Sequence, residues 1–158
     1  MRRLLLVVLS ALTLSVMSPT APATAAEHGP IGLGLMLGDP TGFTGKILLS
    51  DMIALNIVLG AAWYNGNNFH THVDVTFQFD LKKWPLGALD IYFGVGPKFG
   101  WFWTADTMQF GFRAPIGVTW EFERYPVEVF AELGPGAWLL DPGPGFDLDA
   151  SVGARYFF

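Results

Sequence analysis

The 158-residue sequence contains no cysteine. Disulfide scaffolds, Cys-ligated zinc, thiol catalysis and a lipid-anchored lipoprotein cysteine are therefore excluded. Charge is scarce as well, at 15% of residues, where an ordinary globular domain carries about a quarter. The formal net charge is −5 and no basic cluster occurs, so nucleic acid is not an expected partner. Beyond the N-terminus, no apolar stretch reaches the ~20 residues that a membrane helix needs. What the chain does have is 51% hydrophobic and 15% aromatic residues, with 19 glycines and 11 prolines. An apolar excess without a spanning helix leaves two classes, a soluble β-rich barrel and a membrane β-barrel.

The first 26 residues form an address. Met1-Arg2-Arg3 supplies a positive start, Leu4 to Met17 an apolar run, and Ala23-Thr24-Ala25-Ala26 a small-residue cleavage site after Pro19 and Pro22. This is the pattern of a secretory signal peptide, with cleavage expected after Ala25 or Ala26. The expected organisation is thus a signal peptide over 1–26 and one β-barrel domain over 27–158.

That domain alternates with period two. From Phe69 to Asp80, Phe69, Thr71, Val73, Val75, Phe77 and Phe79 share one face, and His70, His72, Asp74, Thr76, Gln78 and Asp80 share the other. No helical period fits these residues. Similar runs span Ala88–Trp103, Gln109–Phe122, Val127–Leu140 and Phe146–Phe158, with less polarised ones at Ile31–Leu37, Phe43–Leu49 and Ala54–Tyr64. Short Gly-, Asn-, Asp- and Pro-bearing turns separate them. The expectation is an eight-stranded antiparallel up-and-down barrel.

The two faces decide between the classes. The polar face is crowded with glycine (Gly32, Gly94, Gly96, Gly111, Gly117, Gly134, Gly136 and Gly153 among them). Glycine weakens a solvent-facing strand, whereas inside a narrow eight-stranded barrel it makes room for long side chains. The apolar face is aromatic toward the strand ends, with Trp63, Trp101 and Trp103 near one rim and Trp120, Tyr156 and Phe158 near the other. Two aromatic girdles around an aliphatic band fit a transmembrane barrel with lipid outside. A soluble barrel with an apolar lumen is the competing reading. Pro97, Pro115 and Pro135 fall inside three consecutive runs. Because proline cannot donate to a ladder, a bulge or widened pairing that shifts the register is expected there.

A polar lumen has to neutralise its charges. Lys46, Lys98, Arg113 and Arg155 face Asp74, Glu128, Glu132 and Asp149 as candidate lumen ion pairs, since an isolated buried charge costs several kcal/mol. Counting back from a hairpin at Asp141–Gly145 places Arg155 diagonal to Glu132, and counting from Thr104–Met108 places Arg113 beside Lys98, with a carboxylate needed between them. His70, His72 and Asp74 lie at alternate positions of one strand, ~6.6–7 Å apart, where two imidazoles could share a metal. Equally, they could fill a polar lumen by bonding one another. No third ligand is visible, so no metal or cofactor is expected. The only serines after the leader, Ser50 and Ser151, lack a histidine pattern that would build a hydrolase or acyltransferase, so no enzyme is expected.

The final Val152-Gly153-Ala154-Arg155-Tyr156-Phe157-Phe158 resembles the C-terminal signal of bacterial outer-membrane proteins. The segments Gly32–Lys46, Gly111–Arg124 and Pro126–Leu133 resemble small, uncharacterised outer-membrane barrels of the DUF3996 type, loosely similar to the OmpA-like membrane domain. The resemblance implies residence in the outer membrane, contact with membrane lipid, and recognition of Tyr156-Phe157-Phe158 by the barrel-assembly machinery. The expected role is structural or interaction-based, with a polar lumen plugged by side chains; the alternative is a small channel or ligand-binding barrel, and a lipid-modifying barrel enzyme ranks below both.

Overall fold

The computed structural model describes residues 29–62, 68–102, 106–139 and 144–158. The leader over 1–26, Trp63 and Trp103 lie outside the described residues. The strands are β1 (Ile31–Asp39), β2 (Thr41–Leu48), β3 (Ile53–Ala62), β4 (Asn68–Trp84), β5 (Gly87–Phe102), β6 (Thr107–Arg113), β7 (Ile116–Phe122), β8 (Val127–Trp138) and β9 (Gly145–Phe157). Neighbours in sequence pair antiparallel except β6 and β7, and β9 returns to pair with β1, which closes the ring among the described residues. β6 and β7 are two halves of one stave, because β5 and β8 each pair with both. The architecture is an all-β, up-and-down ring of eight staves.

The ladder is interrupted at the prolines, as the sequence predicts, but the register does not shift there. Gly96 pairs with Arg113 and Phe93 with Ile116, so the residues between them match one for one across Pro115. The same holds on the other side, from Arg113↔Gly136 to Ile116↔Leu133 across Pro135. Pro115 and Pro135 lack a donor but keep their carbonyls in the ladder. Gly94 N donates to Pro115 O at 2.8 Å, and Ala114 N to Pro135 O at 2.9 Å. One missing donor interrupts β6–β7 without adding a residue to either strand. The register shift among the described pairings lies elsewhere, in β4 between Asp80 and Lys82.

The burial pattern is inverted relative to a soluble protein. Leu37 is 65% exposed, Phe43 70% and Leu148 63%, and outward-facing apolar side chains continue around every stave. Lys46, Lys98, Arg113, Glu128 and Arg155 are buried inside. Exposed charges among the described residues (Asp51, Asp80, Lys82, Lys83, Asp106, Glu123, Arg124) all sit at strand ends or in turns.

The interior is filled by long side chains crossing over glycines. A Cβ on Gly134 would lie 2.7 Å from Cζ of Arg113, one on Gly136 would lie 2.6 Å from Nζ of Lys98, and one on Gly153 would lie 2.6 Å from the Phe130 ring. The glycine-rich face is thus the face that accommodates cations and aromatic rings.

Candidate functional site

Alternation along the staves aims one residue in two at the axis, and the lumen stacks most of its buried charges into a ladder of two ion clusters. At the lower end, the one bearing Ile31 and Phe157, Glu128 on β8 takes Lys46 from β2 and Arg155 from β9. Nη1 of Arg155 donates to Oε1 of Glu128 at 2.8 Å, while its Nη2 and Nε donate to Oγ1 of Thr44 at 2.9 and 3.1 Å. The guanidinium lies 4.0 Å from the Phe130 ring centroid, a cation–π contact between two buried side chains.

In the middle, Arg113 is the hub. Nη2 donates to Glu132 Oε1, and Nη1 lies 2.8 Å from Nε2 of His72 and 3.7 Å from Oδ2 of Asp149. Its Nε is 3.6 Å from Oδ2 of Asp74. The Tyr92 hydroxyl donates to the other oxygen of Glu132 at 2.7 Å. At the upper end Lys98 binds Asp147, sits 4.0 Å from Asp149, and lies 4.1 Å from the Trp138 ring centroid. Trp138 Nε1 donates to Oδ2 of Asp147 at 2.9 Å.

The structure therefore places all eight proposed lumen charges (Lys46, Asp74, Lys98, Arg113, Glu128, Glu132, Asp149 and Arg155) inside, and all eight are buried. The partner of Arg155 differs from the one that the hairpin count predicts. Arg155 stands opposite Glu128, not diagonal to Glu132, because the β8–β9 register is set by Trp138↔Gly145. Glu132 goes instead to Arg113. The carboxylate needed between Arg113 and Lys98 is Asp149, which lies within ion-pair distance of both.

His70, His72 and Asp74 do come together, with the two imidazoles 5.6 Å apart edge to face. The Arg113 guanidinium occupies the ring nitrogens of His72, at 2.8 and 3.1 Å, where a metal would have to bind. Among the described residues, no three His, Asp or Glu side chains are arranged to hold a metal ion. Ser151 is buried on the inward face of β9, and Ser50 caps its own turn by accepting from Ile53 N at 3.1 Å.

The described girdle residues face outward. Trp101 lies toward the upper rim, and Trp120, Tyr156 and Phe158 toward the lower, where Tyr156 and Phe158 meet edge to face with centroids 5.1 Å apart. Sequence reasoning assigns no role to Asp147, Tyr92, Phe130 or Thr44, and none inside the lumen to Phe157. The signal for Asp147 was present, since it is two residues from Asp149 on the same face. Phe130 and Phe157 break the rule that aromatics face outward, and only the glycines beneath them mark the space they fill.

No protein-family model matches the chain, and no curated protein does, so the narrower likeness to DUF3996-type barrels remains a resemblance. Among solved structures, the chain is similar to the N-terminal β-barrel domain of Pseudomonas aeruginosa OprF, at 18% identity and a TM-score of 0.53. The match covers 81% of this chain and 95% of that domain. At that identity the likeness is one of fold, a closed antiparallel β-barrel.

Proposed function

We propose that this chain is an integral outer-membrane β-barrel with a structural or interaction role, exported by its leader, surrounded by lipid and closed inside by the ion ladder. The observation that carries the reading is the inversion of burial. Apolar side chains face outward around the whole ring, while the charges inside are shielded, an arrangement stable only where the surroundings are hydrocarbon. Closure of the ring removes the sheet edges that hydrocarbon would not tolerate. The terminal Tyr156-Phe157-Phe158 is the segment offered to the assembly machinery, and no catalytic role is assigned.

Cell fractionation tests this directly. The protein is expected with outer membranes, released only by detergent, and it should migrate faster on electrophoresis before boiling than after. Recovery in the soluble periplasmic fraction would overturn the lipid-facing assignment.

A second reading, a small channel, is favoured by a specific feature. Asn56 Oδ1, His70 Nε2, Asp74 Oδ1, Thr119 Oγ1 and Asp149 Oδ2 are buried lumen atoms with no protein hydrogen-bond partner. Buried polar atoms require partners, and a string of them along the lumen suits a hydrated path. Planar-bilayer recording of the purified protein separates the two readings. Electrical silence is expected of the closed ladder, whereas stable open steps would establish the channel.

A further inference from the structure

The register shift in β4 has a consequence at the lower rim. Even-numbered residues of β4 point inward from His70 to Gln78, so strict alternation would also send Lys82 and Trp84 into the lumen. Past the shift, Lys82 instead pairs with Leu89 and Trp84 with Gly87, on the outward face of β5. A bulge re-aims side chains in this way. The result is an assembled corner on the outer wall. Nζ of Lys82 lies 4.7 Å from the Trp84 ring centroid, and Trp84 packs on Trp120 of β7 with centroids 5.2 Å apart. Gly87 makes the stack possible, since a Cβ there would lie 2.8 Å from Nε1 of Trp120. The neighbouring β7–β8 turn is tied to this corner by Glu123 N donating to Leu86 O at 3.4 Å, and it carries Arg124.

Charge distribution sets the corner apart. The exposed cations among the described residues, Lys82, Lys83 and Arg124, all lie at this rim, which also carries the exposed carboxylates of Asp51, Asp80 and Glu123. Lys83 is turned to the lumen side, 3.4 Å from Asp80. Among the described residues, Lys82 and Arg124 have no carboxylate within ion-pair distance, and Glu123 is the nearest acidic group in sequence to Arg124. A cation held over an indole, at the edge of an apolar wall, is the arrangement that meets a lipid phosphate at the water boundary.

We infer that Lys82, Trp84 and Trp120, with Arg124 beside them, form a binding corner for the headgroup of a net-anionic phospholipid in the leaflet at the lower rim. The inference rests on the membrane reading above. The ammonium of Lys82 contacts the phosphodiester, the stacked indoles occupy the interface, and the acyl chains run up the outward faces of β4, β5 and β7. The bulge exists to turn this lysine out.

Native mass spectrometry of the detergent-folded protein, titrated with phosphatidylglycerol and separately with phosphatidylcholine, tests it. Phosphatidylglycerol is expected to be retained preferentially, and Lys82→Gln should weaken that retention roughly fivefold, the effect of one interfacial cation. Lys82→Arg should restore it and Lys83→Gln should leave it unchanged. Equal retention by wild type and Lys82→Gln overturns the inference, as does full displacement of the lipid by inorganic phosphate, which would mean an anion contact without lipid selectivity. A wild-type chain that integrates into bilayers yet ignores Lys82→Gln leaves the barrel reading standing. A chain that never integrates overturns both.

Discussion

Arg113→Ala is expected to lower the unfolding free energy of the lipid-embedded barrel by about 3–5 kcal/mol, the range for stripping one partner from a buried ion pair. Among the described residues, Arg113 is the one cation that reaches Glu132, Asp74 and Asp149 together, and its side chain is 0% exposed. Its removal leaves three carboxylates facing one another, with only Lys98 near Asp149. Glu132→Gln should cost less. Arg113 would keep Asp74, Asp149 and His72, and the amide oxygen could still accept from Tyr92. Replacing Arg113 and Glu132 together by apolar residues of similar volume should recover much of the single-mutant loss, because the desolvation penalty leaves with the charges. Urea titration in lipid vesicles, followed by tryptophan fluorescence, gives the comparison. If Arg113→Ala fell within about 0.5 kcal/mol of wild type, as an ordinary surface change does, the lumen would have to be as well hydrated as bulk water and the closed ladder would be wrong.

The staves were legible in the sequence because side-chain alternation is a local property, and a half-buried strand shows it whichever medium lies on each side. Glycine on the polar face pointed to a filled lumen for a steric reason, and Gly134 under Arg113 and Gly136 under Lys98 show that reason in place. Pairing was harder to read. Register between two staves depends on the length of the connecting hairpin, and an error there moves every cross-strand neighbour together. That is how Arg155 came to be set near Glu132 when its partner is Glu128. The prolines misled for a different reason. A missing N–H suggests a slipped strand, yet at Pro115 and Pro135 the carbonyl alone holds the ladder. The bulge that does exist falls at Asp80–Lys82, in a charged segment whose alternation was too short to register a change of phase.

Two adjacent residues of β9 bear on the outside and the inside of the barrel separately. Val152 is 55% exposed on the outward face, between Leu37 of β1 and Ala131 of β8. Val152→Arg puts a charge against hydrocarbon near the middle of the stave, with a penalty of ~2–4 kcal/mol in a bilayer. Gly153 faces inward, where polarity alone would suggest that serine is harmless. The packing says otherwise, since a Cβ at 153 would lie 2.6 Å from the Phe130 ring and 2.5 Å from Leu35 O. Serine must displace Phe130, and with it the ring that supports the Arg155 guanidinium. Overpacking of this kind costs about 1–3 kcal/mol. The two losses have different origins, and the surrounding medium distinguishes them. The Val152→Arg penalty should shrink in a detergent micelle, where water and headgroups can reach the arginine. The Gly153→Ser penalty should persist there, because its cause lies within the protein, and Phe130→Leu should relieve the part due to the ring while the contact with Leu35 O remains. A Val152→Arg variant as stable in bilayers as wild type would mean that this face of β9 does not meet lipid. A Gly153→Ser variant without cost would mean that the Phe130 ring does not occupy the lumen above Arg155.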